Sequence, residues 1–134
     1  MRVVLDTNVL LAAFAARGLC EALVAACLQS HEIHEIVLSE HILGELAEHL
    51  SGKLKMPARQ AREIVELVRE HADIVEPAEL PADICRDPDD VPVLGTAVAG
   101  NVEALVTGDA ELLKLGEIHD VPILSPRGFY DRLR

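Results

Sequence analysis

The chain has 134 residues, enough for one hydrophobic core, so a single domain over residues 1–134 is expected. Half of the residues are apolar, which excludes a disordered chain, and the net charge of −11 excludes a free-standing basic module that holds phosphate through clustered Lys and Arg. Three aromatic rings, Phe14, Phe129 and Tyr130, are too few for a base-stacking platform. The apolar stretch Val9 to Ala16 is too short to span a bilayer, and neither a signal peptide nor a membrane anchor is expected. Cys20, Cys27 and Cys85 are odd in number and lack CxxC spacing. That fits a reducing cytoplasm and argues against a disulfide framework or a thiolate zinc site.

Taken in chain order, β-rich runs alternate with helical patterns. A strand over Arg2 to Leu5 is closed by Asp6 and followed by a helix from about Val9 to Ala16. Gly18 interrupts, and a second helix runs from about Cys20 to Gln29. Glu35 to Leu38 is a strand, and Ser39 caps a helix to about Leu50 whose apolar face is Ile42, Leu43, Leu46, Ala47 and Leu50. A basic connector, Lys53 to Met56, leads to a helix with Pro57 in its first turn and Ala61, Ile64, Val65, Val68 and Ala72 on one face. Asp73 to Val75 reads as a strand, and Glu76 to Asp87, with Pro77 and Pro81, as a loop. A helix to about Ala99 tolerates Pro92 only in its first turn. Then follow a strand over Glu103 to Thr107, a helix over Asp109 to Leu115, a strand over Val121 to Leu124, and a terminal helix capped by Ser125 with Pro126 at its first position. This alternation predicts parallel βαβ units and a sheet covered by helices on both faces, with function beyond the carboxyl ends of the strands.

Most of the 23 acids are expected to be solvated. Asp6 ends the first strand, where it is either an N-cap or a functional carboxylate. Asp90 lies four and seven residues before Leu94 and Ala97, so it shares their inward face. An inward carboxylate must be hydrogen-bonded to nearby backbone, paired or metal-bound. Asp87 and Asp89 are left as caps. Glu45 and Glu40 occupy opposite edges of one apolar stripe, and the helical wheel does not choose between them. His41, Glu45 and His49 share a helix side at i, i+4, i+8, a pattern that suits either a transition metal or, more commonly, solvent. Asp109 is again an N-cap or a ligand. His31, His34, His71 and His119 form no triad pattern, and no P-loop, Gly-x-Ser-x-Gly or Gly-x-Gly-x-x-Gly occurs.

Four segments together resemble a known family. Val3-Val4-Leu5-Asp6-Thr7-Asn8-Val9-Leu10 is similar to the opening of PIN domains, and Val37 to Leu46 to their second acidic motif. Asp87 to Leu94 and Val106-Thr107-Gly108-Asp109 resemble the third and fourth, in the same order. Leu124 to Phe129 resembles the closing segment of the toxins of toxin–antitoxin pairs. The resemblance implies a three-layer α/β/α sandwich with a central, mostly parallel sheet. It implies a ribonuclease dependent on Mg²⁺ or Mn²⁺, with Asp6, Glu45, Asp90 and Asp109 as catalytic and metal-holding acids and Asn8 and Thr107 orienting them. It further implies an RNA substrate, a cognate antitoxin and a homodimer. Residues 15–35 match less well.

Such chemistry suits these residue types. Hard cations activate water and stabilise the leaving oxygen, and a few carboxylates suffice to hold them. Converging acids repel each other and raise at least one pKa, and a cation relieves that repulsion. Lys53, Lys55, Arg59 and Arg62 form the one basic run before the C-terminus, either as a guide for RNA phosphate or as a solvated connector. Two other readings stand beside the nuclease. One is a Mg²⁺-dependent phosphatase with Asp6 as nucleophile, although Asn8 stands where a second acid is usual. The other is a non-catalytic metal-binding or protein-interaction module.

Overall fold

The computed structural model describes residues 1–29 and 34–133; His31 lies outside them. Six strands form one sheet in the order β3-β2-β1-β4-β6-β5. They are β1 (Arg2–Leu5), β2 (Glu35–Leu38), β3 (Ala72–Ile74), β4 (Ala104–Val106), β5 (Glu117–Ile118) and β6 (Val121–Leu124). All neighbouring pairs are parallel except β5–β6. The helices are α1 (Thr7–Ala15), α2 (Leu19–Gln29), α3 (Glu40–Gly52), α4 (Ala58–Glu70), α5 (Val91–Ala99), α6 (Ala110–Leu115) and α7 (Pro126–Leu133), with a 3₁₀ turn at Pro88–Asp90. This is the mostly parallel α/β arrangement expected. Among the described residues no single helix is long and apolar enough to cross a membrane.

The central strands carry apolar residues on both faces because helices cover both. Val3, Val4, Leu5, Leu105 and Val106 are fully buried. The strand order reverses at β1. The chain first steps from β1 to β2 to β3, then returns to place β4 on the other side of β1. Right-handed crossovers therefore put the helices before β3 on one face and the α5 connection on the other. The crevice at this reversal lies between the ends of β1 and β4, where Asp6 N–H donates to the Val106 carbonyl at 2.9 Å.

Several boundaries differ from the sequence reading. Ala72, placed on the helical face of α4, instead opens β3, because His71 ends the helix and pairing with Ile36 recruits the next residue. The sequence pattern predicts no strand at β5. It has two residues, and its hairpin turn uses His119 and Asp120 at positive φ (44° and 67°) with no glycine to announce it. Ser39 caps α3 as expected, accepting from Ile42 N–H, and its buried hydroxyl shares a 2.8 Å hydrogen bond with Thr96 of α5. That bond joins the two faces just below the reversal.

Gly95 is the close-approach point that lets the loop after β3 pass over α5. Its carbonyl accepts from Ala78 N–H at 3.0 Å, and a methyl group on its Cα would stand 2.4 Å from the Ala78 carbonyl oxygen. Alanine is normally preferred to glycine inside a helix by about 1 kcal/mol. Here Gly95→Ala is expected to reverse that sign and cost about 1–3 kcal/mol through overpacking against backbone. The urea midpoint of unfolding checks it.

Candidate active site

Asp6 follows β1 directly and is 4% exposed. Both carboxylate oxygens are engaged. Oδ1 accepts from the Thr7 N–H at 2.7 Å, which caps α1. Oδ2 accepts from the Thr107 hydroxyl at 2.8 Å and from Asn8 Nδ2 at 3.2 Å. Asn8 and Thr107 extend the network to the next segment. The Gly108 N–H donates to Asn8 Oδ1 at 2.8 Å, and the Asp109 N–H to Thr107 Oγ1 at 3.0 Å. Asp109 in turn caps α6, accepting from Glu111 N–H at 3.1 Å. The capping roles of Asp6 and Asp109 are thus both present, and they do not exhaust either carboxylate's surroundings. A buried Asp6 with both oxygens occupied is a poor nucleophile, which weighs against the phosphatase reading.

The packing of α3 against α1 and α4 gives the two acids that the helical wheel leaves equal different partners. Glu40 borders the same cleft as Glu45, but its carboxylate pairs with Arg69 of α4. Glu45 turns to α1, where Thr7 Oγ1 donates to its Oε1 at 3.1 Å. Among the described residues the His41–Glu45–His49 stripe does not gather into a group that could hold a metal ion. His41 Nε2 instead hydrogen-bonds the Asp89 carbonyl at 3.0 Å and lies 3.2 Å from Glu45 Oε1.

Asp90 ends the 3₁₀ turn and leads into α5, above the fully buried Leu94 and Ala97. It makes no capping bond, and the backbone hydrogen bond that is one option for an inward acid is absent among the described residues. Asp87 caps the turn instead, accepting from Asp89 N–H at 2.9 Å. Burial, a hydrogen bond with Asp109 and the charges of Asp6, Asp109 and Asp87 push Asp90 from 3.8 up to about 7. Asp6 is also raised, first by burial and then by the charges of Glu45 and Asp109, against the pull of its bonds to Thr107 and Thr7. Electrostatically, then, Asp6, Glu45, Asp90 and Asp109 are one neighbourhood. Among the described residues, however, no three acid, His or Cys side chains form a ready cage for a metal ion.

Asp90 and Asp109 line an open cleft of about 450 Å³ with Arg86, Asp87, Pro88 and Glu111. The exposed Arg86 lies 3.9 Å from Glu111 Oε1. Neither Arg86 nor Glu111 is singled out by the sequence, where each is one charge among many. Glu45, His41 and Asp89 line a neighbouring cleft of about 360 Å³. Lys53, Lys55, Arg59 and Arg62 are all exposed around the tip of the α3–α4 hairpin, outside both clefts. A larger hollow of about 580 Å³, beside Glu35 and Asp73, opens at the opposite end of the strands and contains none of these acids.

The raised Asp90 carboxyl has a consequence for stability. The folded chain holds this proton more tightly than the unfolded chain does, so metal-free protein should lose stability as pH rises from about 4 to about 7. Asp90→Asn is expected to stabilise the metal-free protein at pH 7 and above by on the order of 1 kcal/mol, discounted for solvent screening of a half-buried group. Below pH 4 the gain should vanish. Urea unfolding of both proteins across this range checks the sign.

No curated protein matches the chain in sequence. The family model described as PIN domain matches residues 2–111. Several solved structures share the fold. VapBC2 from Rickettsia felis, solved bound to a DNA fragment from its promoter, superposes with a TM-score of 0.63 at 15% identity over 93% of this chain and 98% of that one. VapBC-1 from nontypeable Haemophilus influenzae gives 0.65 at 17% over 95% and 99%, and PAE2754 from Pyrobaculum aerophilum 0.65 at 17% over 99% and 89%. These identities speak for the fold alone, whereas the family model spans most of the sequence, including all four acids: the chain belongs to the PIN-domain family.

Proposed function

We propose that the protein is an endoribonuclease that hydrolyses RNA phosphodiester bonds with the help of Mg²⁺ or Mn²⁺ held by Asp6, Glu45, Asp90 and Asp109. The observation that carries this reading is a half-buried carboxyl set among other acids at the strand-order reversal: burial first, then Asp109, Asp6 and Asp87, push Asp90 up to about 7. A cluster that costs stability in the free protein makes chemical sense when a cation compensates it. The donor set is oxygen only, which matches hard divalent ions. When bound, such an ion supplies charge neutralisation at the phosphate and acidifies water.

The chain's own residues supply the rest. Thr107, Asn8 and the Thr7 N–H hold the Asp6 carboxylate in one orientation. Thr7 and His41 do the same for Glu45. Asn8 also fixes the Gly108 N–H, so the Asp109 segment is tied to β1. The basic run Lys53, Lys55, Arg59 and Arg62 begins about 12 Å along α3 from Glu45, within reach of a bound strand a few nucleotides long. It is proposed to draw phosphate toward an otherwise anionic surface.

The neighbouring VapBC structures support extending the reading to the toxin of a toxin–antitoxin pair, with a cognate antitoxin and a homodimeric state as proposed partners. A cytoplasmic location accords with three free cysteines.

Purified protein is expected to cut single-stranded RNA only with Mn²⁺ or Mg²⁺ present, and Asp90→Asn to lower the rate by about a hundredfold or more. Cleavage that is indifferent to metal or to Asp90 rejects the proposal. A rise in melting temperature with metal but no cleavage favours the non-catalytic module. For the basic run, replacing all four residues with Ala is expected to weaken RNA binding and flatten its logarithmic salt dependence by up to about 3, at about 0.7 per phosphate contact on a single strand. An unchanged slope removes the steering role.

A further inference from the structure

His41 is the second residue of α3, and its ring reaches the loop that carries Asp90. Its Nε2 hydrogen-bonds the backbone carbonyl of Asp89 at 3.0 Å and lies 3.2 Å from Oε1 of Glu45. Both neighbours are acceptors, so Nε2 carries the ring proton. Nε2 thus acts here as a donor set between two acceptors, one on each segment. Among the described residues no other side-chain hydrogen bond joins α3 to the Pro88–Asp90 turn. The ring therefore stands between two segments that each deliver an acid to the crevice from distant parts of the sequence.

Resting on the metal-dependent reading above, we infer that His41 is a positioning residue. Its Nε2–H straps the Glu45 helix to the turn that carries Asp90 and fixes the relation of these two carboxylates before a cation arrives. Polar groups that orient metal-holding carboxylates commonly contribute ten- to a hundredfold in affinity. The side chain is 28% exposed, so the strap lies at the rim of the cleft rather than in the core. The position lies in the first turn of a helix, where neither Ala nor Gln disturbs the backbone.

Two variants test this. His41→Ala removes the donor, and His41→Gln keeps an amide N–H at a similar reach. In metal-free protein, amide exchange over residues 87–92 is expected to quicken about tenfold in His41→Ala and to remain as in the wild type in His41→Gln. Mn²⁺ affinity, read from the spin resonance of free Mn²⁺, is expected to fall about tenfold in His41→Ala and to recover in His41→Gln. Unchanged exchange in His41→Ala overturns the strap, and so does equal loss of affinity in both variants. Wild-type protein that takes up no Mn²⁺ overturns the proposed function. Wild-type uptake matched by His41→Ala overturns the role of His41 alone.

Discussion

The buried carboxylate of Asp6 is the interaction on which the rest of the site depends. A charged group at 4% exposure survives only if its oxygens are satisfied, and here the partners are the Thr7 N–H at the start of α1, the Asn8 side chain one residue on, and Thr107 beyond β4. Satisfying one carboxylate thus joins two adjacent parallel strands at their carboxyl ends. It also sets the angle at which α1 leaves the sheet and holds the Gly108–Asp109 segment against Asn8. The hydrogen bonds that keep Asp6 tolerable are the same ones that place its neighbours.

Around this fixed point the arrangement is deliberately unfavourable. Burial raises the Asp90 carboxyl first, and Asp6, Asp87 and Asp109 all bear on it through their charge. The nearest cation lining the cleft, Arg86, is exposed and lies beside Glu111 rather than inside the cluster. The packing below Asp90 is complete without it: Leu94, Ala97 and Leu105 are fully buried. Local conflict above an otherwise consistent core is the pattern expected where selection acts on chemistry rather than on stability.

The sequence carried much of this, unevenly. Apolar runs at β1, β2 and β4 are legible because both faces of a central parallel strand must be apolar, and Ser39 and Ser125 mark helix starts by their side-chain chemistry. The ends of α4 and β3 are less so, since Ala72 suits either state and only pairing with β2 decides. The two-residue β5 has no periodicity to read. Among the acids, Asp6, Asp90 and Asp109 stand out by position alone. Glu45 does not, because Glu40 is its equal on the wheel until Arg69 takes one and Thr7 the other. The contact between His41 and Asp89 is invisible in any spacing rule, for its acceptor is a backbone carbonyl 48 residues away.

The bond between Thr107 and Asp6 spans 101 positions of the chain. While the polypeptide is still emerging from the ribosome, β1 has an open edge and Asp6 has lost its principal donor until β4 has been made and docked. Contacts of such long range close late and cooperatively. A chain grown only as far as Glu103 therefore carries Asp6, Glu45 and Asp90 without the geometry, and whatever reactivity the finished crevice has is switched on by completion of the fold itself.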